Sequence, residues 1–378
     1  METSVHGPEH EYATVIGPRP AVQTLIETWA RFQDTIGFDL ESPRLIELGF
    51  ESAPGAVRER FYETRAPAVA VLKHPSAPGL GAWLTARLQI ETMILPPLSG
   101  EDFPLAGGMP ALLWEPAYQA HAAQGGPHVD PFTTGKLDDL IASGATFSLG
   151  GYIMMPPVVG GHRVALLDTG DMYANRQMID FLDGDFRDPA TAAAADPHGH
   201  GTAVSMVITA MNPNAIIHPL RVLNHKGTGS SHEILAGLTY AMWSGQYDLI
   251  NASLTTDVSN PCDSTYGRSI DYLARYCHAN GVETPMLVAA AGNSNGAPSG
   301  YPARMRDAIV ALATDQDNNL QPYNSLPAAP TVIARAYGGS ATDPLGDLGP
   351  LTGLTGPGAS LWGTSLAAAV VSGACLPP

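Results

Sequence analysis

Three short segments of the chain carry the side chains of a nucleophilic hydrolysis site, in the order Asp, His, Ser. The segments are residues 167–170, 199–202 and 363–367. In such a site a serine hydroxyl attacks a carbonyl, an imidazole accepts its proton, and a carboxylate keeps the imidazole in the correct tautomer. Each segment alone is a weak signal, because small residues flank Asp or Ser in many turns. Together they predict catalytic roles for Asp168, His200 and Ser365.

An asparagine follows an apolar run between the second and third of these segments. Residues 288–291 read Val-Ala-Ala-Ala, which is typical of a buried strand, and Gly292 and Asn293 come directly after them. A tetrahedral intermediate needs an uncharged hydrogen-bond donor at its oxyanion, and a side-chain amide supplies one. The pattern therefore predicts that Asn293 is this donor. The alternative interpretation is an ordinary turn residue.

The four segments together resemble the subtilisin-like serine proteases, the subtilases. Their key residues are separated by 32, 93 and 72 positions, which is close to the spacing usual in that family. Three weaker matches are residues 220–223 with 227–230, residues 250–254, and residues 301–303. The resemblance implies an α/β, three-layer subtilisin-like fold with a mainly parallel central sheet. It also implies a serine endopeptidase that acts on peptides or proteins without a cofactor.

The resemblance further implies two substrate-binding edges and a wall of the primary specificity pocket. Small residues beside strands are equally normal in ordinary packing, so these assignments are expectations from the family. The residues are Gly227, Gly229, Ser230, Ser253, Leu254, Thr255, Ala290, Ala291 and Gly292.

The segment after Ser365 departs from the family. It reads Leu-Ala-Ala-Ala where the family usually has Met-Ala-x-Pro, and the sequence ends 13 residues beyond the serine. We expect Leu366, Val370 and Val371 to need cover from the N-terminal region or a partner. Alternative functions are a catalytically weak or silent peptide-binding module and a peptide-transferring subtilase.

Alternating apolar runs and amphipathic stretches from residue 161 onward predict a parallel sheet covered on both faces. The predicted strands are 163–167, 248–254, 286–291 and 308–312, and the predicted helices are 201–211, 231–243 and 265–280. Active residues in this architecture lie at the carboxyl ends of strands. This arrangement suits both Asp168 and Asn293.

The first 155 residues differ in pattern and predict a separate α+β region. Apolar residues at helical spacing predict a helix over 20–38, and alternation predicts a strand over 84–94. We expect residues 1–155 to pack against a catalytic domain formed by residues 156–378. This region is either an inhibitory propeptide, cut near residues 156–157, or a stabilising accessory domain.

Composition limits the partners of the protein. A formal charge of −17 over 378 residues argues against nucleic acid and anionic membranes. No secretory signal or membrane-spanning stretch is visible, and three cysteines do not form a disulfide framework. We therefore expect a reduced, cytoplasmic protein.

Two clusters could be interpreted as metal sites. Asp196, His198 and His200 alternate in a way that suits zinc, but a third protein ligand at suitable spacing is not evident. We expect His198 to be a solvated neighbour of the catalytic histidine. An acidic turn could wrap calcium, although an exposed turn is the simpler interpretation. Its carboxylates are Asp183, Asp185 and Asp188.

Overall fold

The computed structural model describes the chain in fourteen stretches, which cover most of its C-terminal half and parts of its N-terminal half. They are residues 10–36, 44–45, 55–62, 65–75, 112–116, 119–123, 147–149, 161–172, 177–182, 195–256, 267–315, 317–328, 332–339 and 362–376.

A four-stranded antiparallel sheet with two helices forms the N-terminal part. The elements are β1 (His10–Pro18), α1 (Arg19–Ile36), β2 (Arg44–Leu45), α2 (Gly55–Tyr62), β3 (Pro67–Pro75) and β4 (Leu113–Pro116). The strands lie in the order β2-β3-β1-β4. The predicted helix over 20–38 is confirmed by α1, whereas the predicted strand over 84–94 lies outside the described residues.

Two further strands from the first 155 residues join elements that lie later in the chain. They are β5 (Gln119–Ala122) and β6 (Phe147–Leu149). β6 pairs antiparallel at the edge of the large sheet described below. That sheet therefore takes a strand from the N-terminal side of residue 155, and the division at 155/156 remains a prediction.

An eight-stranded sheet forms the centre of the C-terminal part. Seven of its strands are parallel: β7 (His162–Asp168), β8 (Ile179–Asp180), β9 (Ala215–Arg221), β11 (Leu249–Ala252), β13 (Met286–Ala290), β14 (Ala308–Thr314) and β15 (Val332–Tyr337). Their spatial order is β6-β15-β14-β13-β11-β7-β9-β8. Two short strands outside this sheet are β10 (Thr228–Ser230) and β12 (Leu254–Thr256). The four predicted strands are confirmed, although the second predicted strand, 248–254, divides into β11 and the start of β12.

Helices cover both faces of the large sheet. They are α3 (His200–Met211), α4 (Ser231–Trp243), α5 (Arg268–Ala279) and α6 (Thr364–Cys375). Alternate residues of β7 enter two different cores, because side chains alternate across a strand. Val164 and Leu166 pack in the core that contains α3 and α6, and Ala165 and Leu167 pack in the core that contains α4 and α5. The expected three-layer α/β fold is confirmed.

The expectation that α6 needs cover from the N-terminal region is wrong. Leu366, Val370 and Val371 are fully buried, in a cluster with side chains of α3 and of the large sheet. Two apolar helices on one face of the sheet cover each other. Ala123 is the one residue before position 156 in this cluster, among the described residues.

The N-terminal sheet packs against the outer side of α4 and α5. Phe61 stacks on Tyr240 with ring centroids 5.5 Å apart, and Trp243 Nε1 donates to the carbonyl of Arg60 at 3.2 Å. At the start of α5, the carboxylate of Glu115 accepts hydrogen bonds from the backbone N–H and the hydroxyl of Ser269. The two parts therefore share one apolar core and several polar contacts.

Within the stretches that the structure describes, every helix is too short or too polar to cross a bilayer.

Candidate active site

Asp168 and His200 form a buried pair at the carboxyl end of the central strand β7. Nδ1 of His200 lies 2.6 Å from Oδ1 of Asp168, and neither side chain is exposed to solvent. A carboxylate can only accept here, so Nδ1 carries the hydrogen in the neutral imidazole. Nε2 is then the basic nitrogen, and it has no hydrogen-bond partner among the described residues.

Glycine at position 201 allows this pair to form. A Cβ added there would lie 2.1 Å from the carbonyl oxygen of Gly170 and 3.0 Å from Cβ of Asp168. Any larger residue would push the start of α3 away from the loop that follows β7. The position after His200 therefore requires glycine for steric reasons.

The carboxylate of Asp196 ties the start of α3 to the loop after β7. Its Oδ1 accepts from Thr169 Oγ1 at 2.8 Å and from the N–H groups of His198 and Gly199. Its Oδ2 accepts from the N–H and the hydroxyl of Thr202 at 2.8 and 2.5 Å. The sequence pattern had suggested this residue only as a metal ligand. Its five contacts instead fix the backbone on both sides of His200.

Ser365 lies at the second position of α6, beneath the carboxyl ends of the central strands. Its Oγ lies 2.6 Å from the carbonyl oxygen of Ala123 and 2.9 Å from that of Ser253. The hydroxyl of Ser253 donates to the carbonyl of Ser365 at 3.1 Å. The serine is therefore held from two directions and is fully buried.

Asn293 lies three residues beyond the end of β13, and its side-chain amide is aimed at the carbonyl of Ala123. Its Nδ2 donates to the oxygen of Ala123 at 2.8 Å. Its Oδ1 accepts from both the N–H and the hydroxyl of Thr364 at 3.0 Å. Thr364 thus fixes which end of the amide faces Ala123. Sequence reasoning missed this role, although Thr364 stands beside the serine in the signature.

The predicted substrate-binding residues surround a strand of the protein itself. β5 lies between β10 and β12 and pairs antiparallel with both. Gly229 is opposite Ala120, and Leu254 is opposite Ala122. The carbonyl of Gly227 accepts from the N–H of Ala122 at 2.9 Å. Both predicted edges therefore contact residues 119–123.

Hydrogen-bond donors surround the carbonyl oxygen of Ala123, the residue that follows β5. It accepts from Asn293 Nδ2 at 2.8 Å and from the backbone N–H of Ser365 at 3.2 Å, and it lies 2.6 Å from Ser365 Oγ. Two donors fixed around one carbonyl oxygen, beside a hydroxyl, form the arrangement that stabilises a developing oxyanion.

The described residues contain no group of three or more His, Cys, Asp or Glu side chains that could hold a metal. The candidate calcium ligands Asp183, Asp185 and Asp188 lie outside the stretches that the structure describes. The expectation of a solvated His198 is wrong, because its side chain is buried. Nε2 of His198 approaches Gly227 so closely that a Cβ there would lie 2.8 Å away.

Comparison with known proteins identifies a family for the C-terminal part of the chain. The family model described as "Subtilase family" matches residues 160–376. Alkaline elastase YaB of Bacillus sp. (strain YaB) is 31% identical over 193 residues, 49% of this chain and 48% of that protein. An alkaline protease of Alkalihalobacillus alcalophilus is 31% identical over 223 residues, 57% of this chain and 53% of that protein. Subtilisin Savinase of Lederbergia lenta is 30% identical over 57% of this chain and 74% of that protein.

The chain spans about half the length of the first two of these relatives. The family match covers more than half of the chain and contains Asp168, His200, Asn293 and Ser365. With this match and the three-layer fold, the chain belongs to the subtilase family.

Proposed function

We propose that the protein is a serine endopeptidase and that its first substrate is its own peptide bond between Ala123 and Gln124. The observation that carries this proposal is the position of the Ala123 carbonyl. Its oxygen lies between Asn293 Nδ2 and the N–H of Ser365, and the Ser365 hydroxyl is 2.6 Å away. Residues 119–123 thus occupy the position of the acyl side of a bound peptide.

The first half of the reaction requires the Ser365 hydroxyl to turn from the carbonyls of Ala123 and Ser253 toward Nε2 of His200, which has no hydrogen-bond partner among the described residues. Ser365 Oγ attacks the carbonyl carbon of Ala123, and His200 Nε2 accepts the hydroxyl proton. The carbonyl oxygen takes the negative charge, which the two N–H donors stabilise. His200 then returns the proton to the nitrogen of Gln124 as the bond breaks. An ester between Ala123 and Ser365 remains.

The second half regenerates the enzyme. Water attacks the ester carbonyl, His200 accepts a proton from the water, and the same donors stabilise the second oxyanion. His200 then protonates Ser365 Oγ as it leaves. Asp168 orients the imidazole and stabilises its charged form throughout both halves. The products are a chain that ends at Ala123 and a chain that begins at Gln124.

Burial of the active site supports a further part of this proposal. With β5 in the cleft, Asp168, His200 and Ser365 are all inaccessible to solvent. Another peptide cannot enter the same cleft while residues 119–123 occupy it. We therefore propose that the N-terminal region inhibits the enzyme until it leaves, and that the cut lies after Ala123 rather than near residues 156–157.

Intact-mass spectrometry of the purified chain tests the proposal. The unmodified chain should yield fragments 1–123 and 124–378, while Ser365→Ala should remain a single chain of 39.6 kDa. The mass of the first fragment separates hydrolysis, which leaves a carboxyl group at Ala123, from transfer to an amine. An uncut chain whose Ser365 stays inert to a fluorophosphonate probe after limited proteolysis has removed the N-terminal region would instead support the silent peptide-binding module.

A further inference from the structure

The backbone of Ala123 is hydrogen-bonded to two segments that, by the resemblance, would bound a specificity pocket. Its N–H donates to the carbonyl of Ser253 at 3.1 Å, and its carbonyl accepts from Asn293. Residues 290–292, which precede Asn293, are Ala-Ala-Gly and contribute no side chain larger than a methyl group. Ala123 itself is 2% exposed. A wall this small would leave room for a large side chain unless another residue fills the space.

The side chain of Thr255 faces Gly292, the last residue of that wall. Its side chain lies where two glycines from separate segments converge. A Cβ added at Gly300 would lie 2.6 Å from Thr255 Oγ1. A Cβ added at Gly292 would lie 3.4 Å from the same oxygen, and 2.8 Å from Ser325 Oγ. Thr255 is 4% exposed, so its hydroxyl and methyl are enclosed.

We infer that Thr255 sets the specificity of the enzyme by closing the pocket beside the attacked residue to all but small side chains. This inference rests on the proposed function. In the chain's own cleavage segment, the residue in this position is alanine. A leucine or phenylalanine there would have to displace Thr255 from between Gly292 and Gly300, and close-packed interiors resist such insertions.

Peptide substrates that differ only in the residue before the cleaved bond test this inference. With Ala-Ala-Ala and Ala-Ala-Phe p-nitroanilides, the unmodified enzyme should have a kcat/KM at least about 10-fold higher for the alanine substrate. Thr255→Gly should shift the phenylalanine-to-alanine ratio of kcat/KM by about 10- to 200-fold toward phenylalanine. Thr255→Ala is a second variant, because glycine weakens a strand, and it should give a smaller shift in the same direction.

Thr255→Val is the matched control, since it keeps the volume of the side chain and removes only the hydroxyl. It should keep the ratio of the unmodified enzyme. The inference is overturned if the unmodified enzyme prefers phenylalanine, if Thr255→Gly leaves the ratio unchanged, or if Thr255→Val shifts it as far as Thr255→Gly. Failure to hydrolyse either substrate, with Ser365 inert to the fluorophosphonate probe, would overturn the proposed function as well.

Self-cleavage provides a second measurement that needs no added substrate. Ala123→Phe should slow the appearance of fragment 124–378, and adding Thr255→Gly to it should restore the rate at least about 10-fold. Ala123→Gly should be cut in either background. If Ala123→Phe is cut as fast as the unmodified chain, Thr255 does not limit the pocket, although the protease activity stands.

Discussion

Thr364 holds the side-chain amide of Asn293 through two hydrogen bonds to Oδ1, each 3.0 Å long. Those contacts leave Nδ2 aimed at the Ala123 carbonyl, 2.8 Å away. The orientation of the Asn293 amide, the proposed oxyanion donor, therefore depends on Thr364.

We expect Thr364→Val to lower kcat by about 10-fold with little change in KM, because Asn293 loses one of the contacts that orient it. Thr364→Ser should retain most of the activity, since it keeps the hydroxyl. Asn293→Ala should lower kcat by about 10²–10³-fold. In the Asn293→Ala background, Thr364→Val should cost little more. Steady-state kinetics of the four variants measures this, and fully additive losses would show that Thr364 acts elsewhere.

Asp196 should matter for folding as well as for activity. Its carboxylate accepts five hydrogen bonds from residues on both sides of His200, and Asp196→Ala leaves those buried donors unsatisfied. We expect a loss of about 2–4 kcal/mol in the free energy of unfolding. Asp196→Asn should lose less, because it keeps one acceptor oxygen. Urea denaturation in the Ser365→Ala background, where self-cleavage cannot interfere, measures both. A loss below about 0.5 kcal/mol for Asp196→Ala would contradict the assigned role.

Glu115 should secure the N-terminal sheet to the start of α5. Its buried carboxylate accepts from two groups of Ser269, so Glu115→Ala removes a cap that another part of the chain supplies. Capping losses of 1–2 kcal/mol correspond to about 5- to 30-fold faster amide exchange in the first turn of α5. Hydrogen exchange of the Ser365→Ala chain measures this. Glu59→Ala, an exposed change in the same region, should leave the exchange rates unaltered.

The thiol of Cys277 should be protected from alkylation in the folded protein. Burial raises its pKa to about 12, and the side chain is inaccessible to solvent. Iodoacetamide at pH 8 should modify Cys277 only as the chain unfolds, because the thiolate is the reactive form. Peptide mapping with and without urea measures this. Rapid modification in the folded state would contradict the placement of Cys277 in the core.

The same thiol should make stability fall at high pH. An unfolded thiol releases its proton near pH 9, whereas the folded one keeps it until about pH 12. The native state then binds more protons in this window, so the free energy of unfolding decreases as pH rises. Cys277→Ala should flatten that decline. Denaturation at pH 8 and pH 10 measures the difference.

The positions of the reacting groups were predictable because each follows a strand end or begins a helix. Asp168 and Asn293 lie at or beyond the carboxyl ends of parallel strands, which share one edge of the sheet, and Ser365 begins a helix. These features depend on local patterns and on one general property of parallel sheets.

The position of residues 119–123 between β10 and β12 was not predictable in the same way. Residues 119–123 read Gln-Ala-His-Ala-Ala, a segment with no distinctive periodicity or motif. Its position depends on pairing with β10 and β12, which lie more than 100 residues later. His198 was misjudged for a related reason, since only the fold brings Gly227 over its ring. Contacts between distant segments decided both cases.

The placement of β5 between β10 and β12 means that a cut after Ala123 would change the concentration dependence of the contact. In the intact chain the strand and its cleft belong to one molecule, so their association does not depend on how much protein is present. In the cut chain the same contact becomes an equilibrium between two molecules, and its occupancy falls with dilution. At high protein concentration the cleft would therefore stay largely occupied, and the enzyme would remain inhibited as proposed. Dilution would increase the fraction of enzyme with a free cleft.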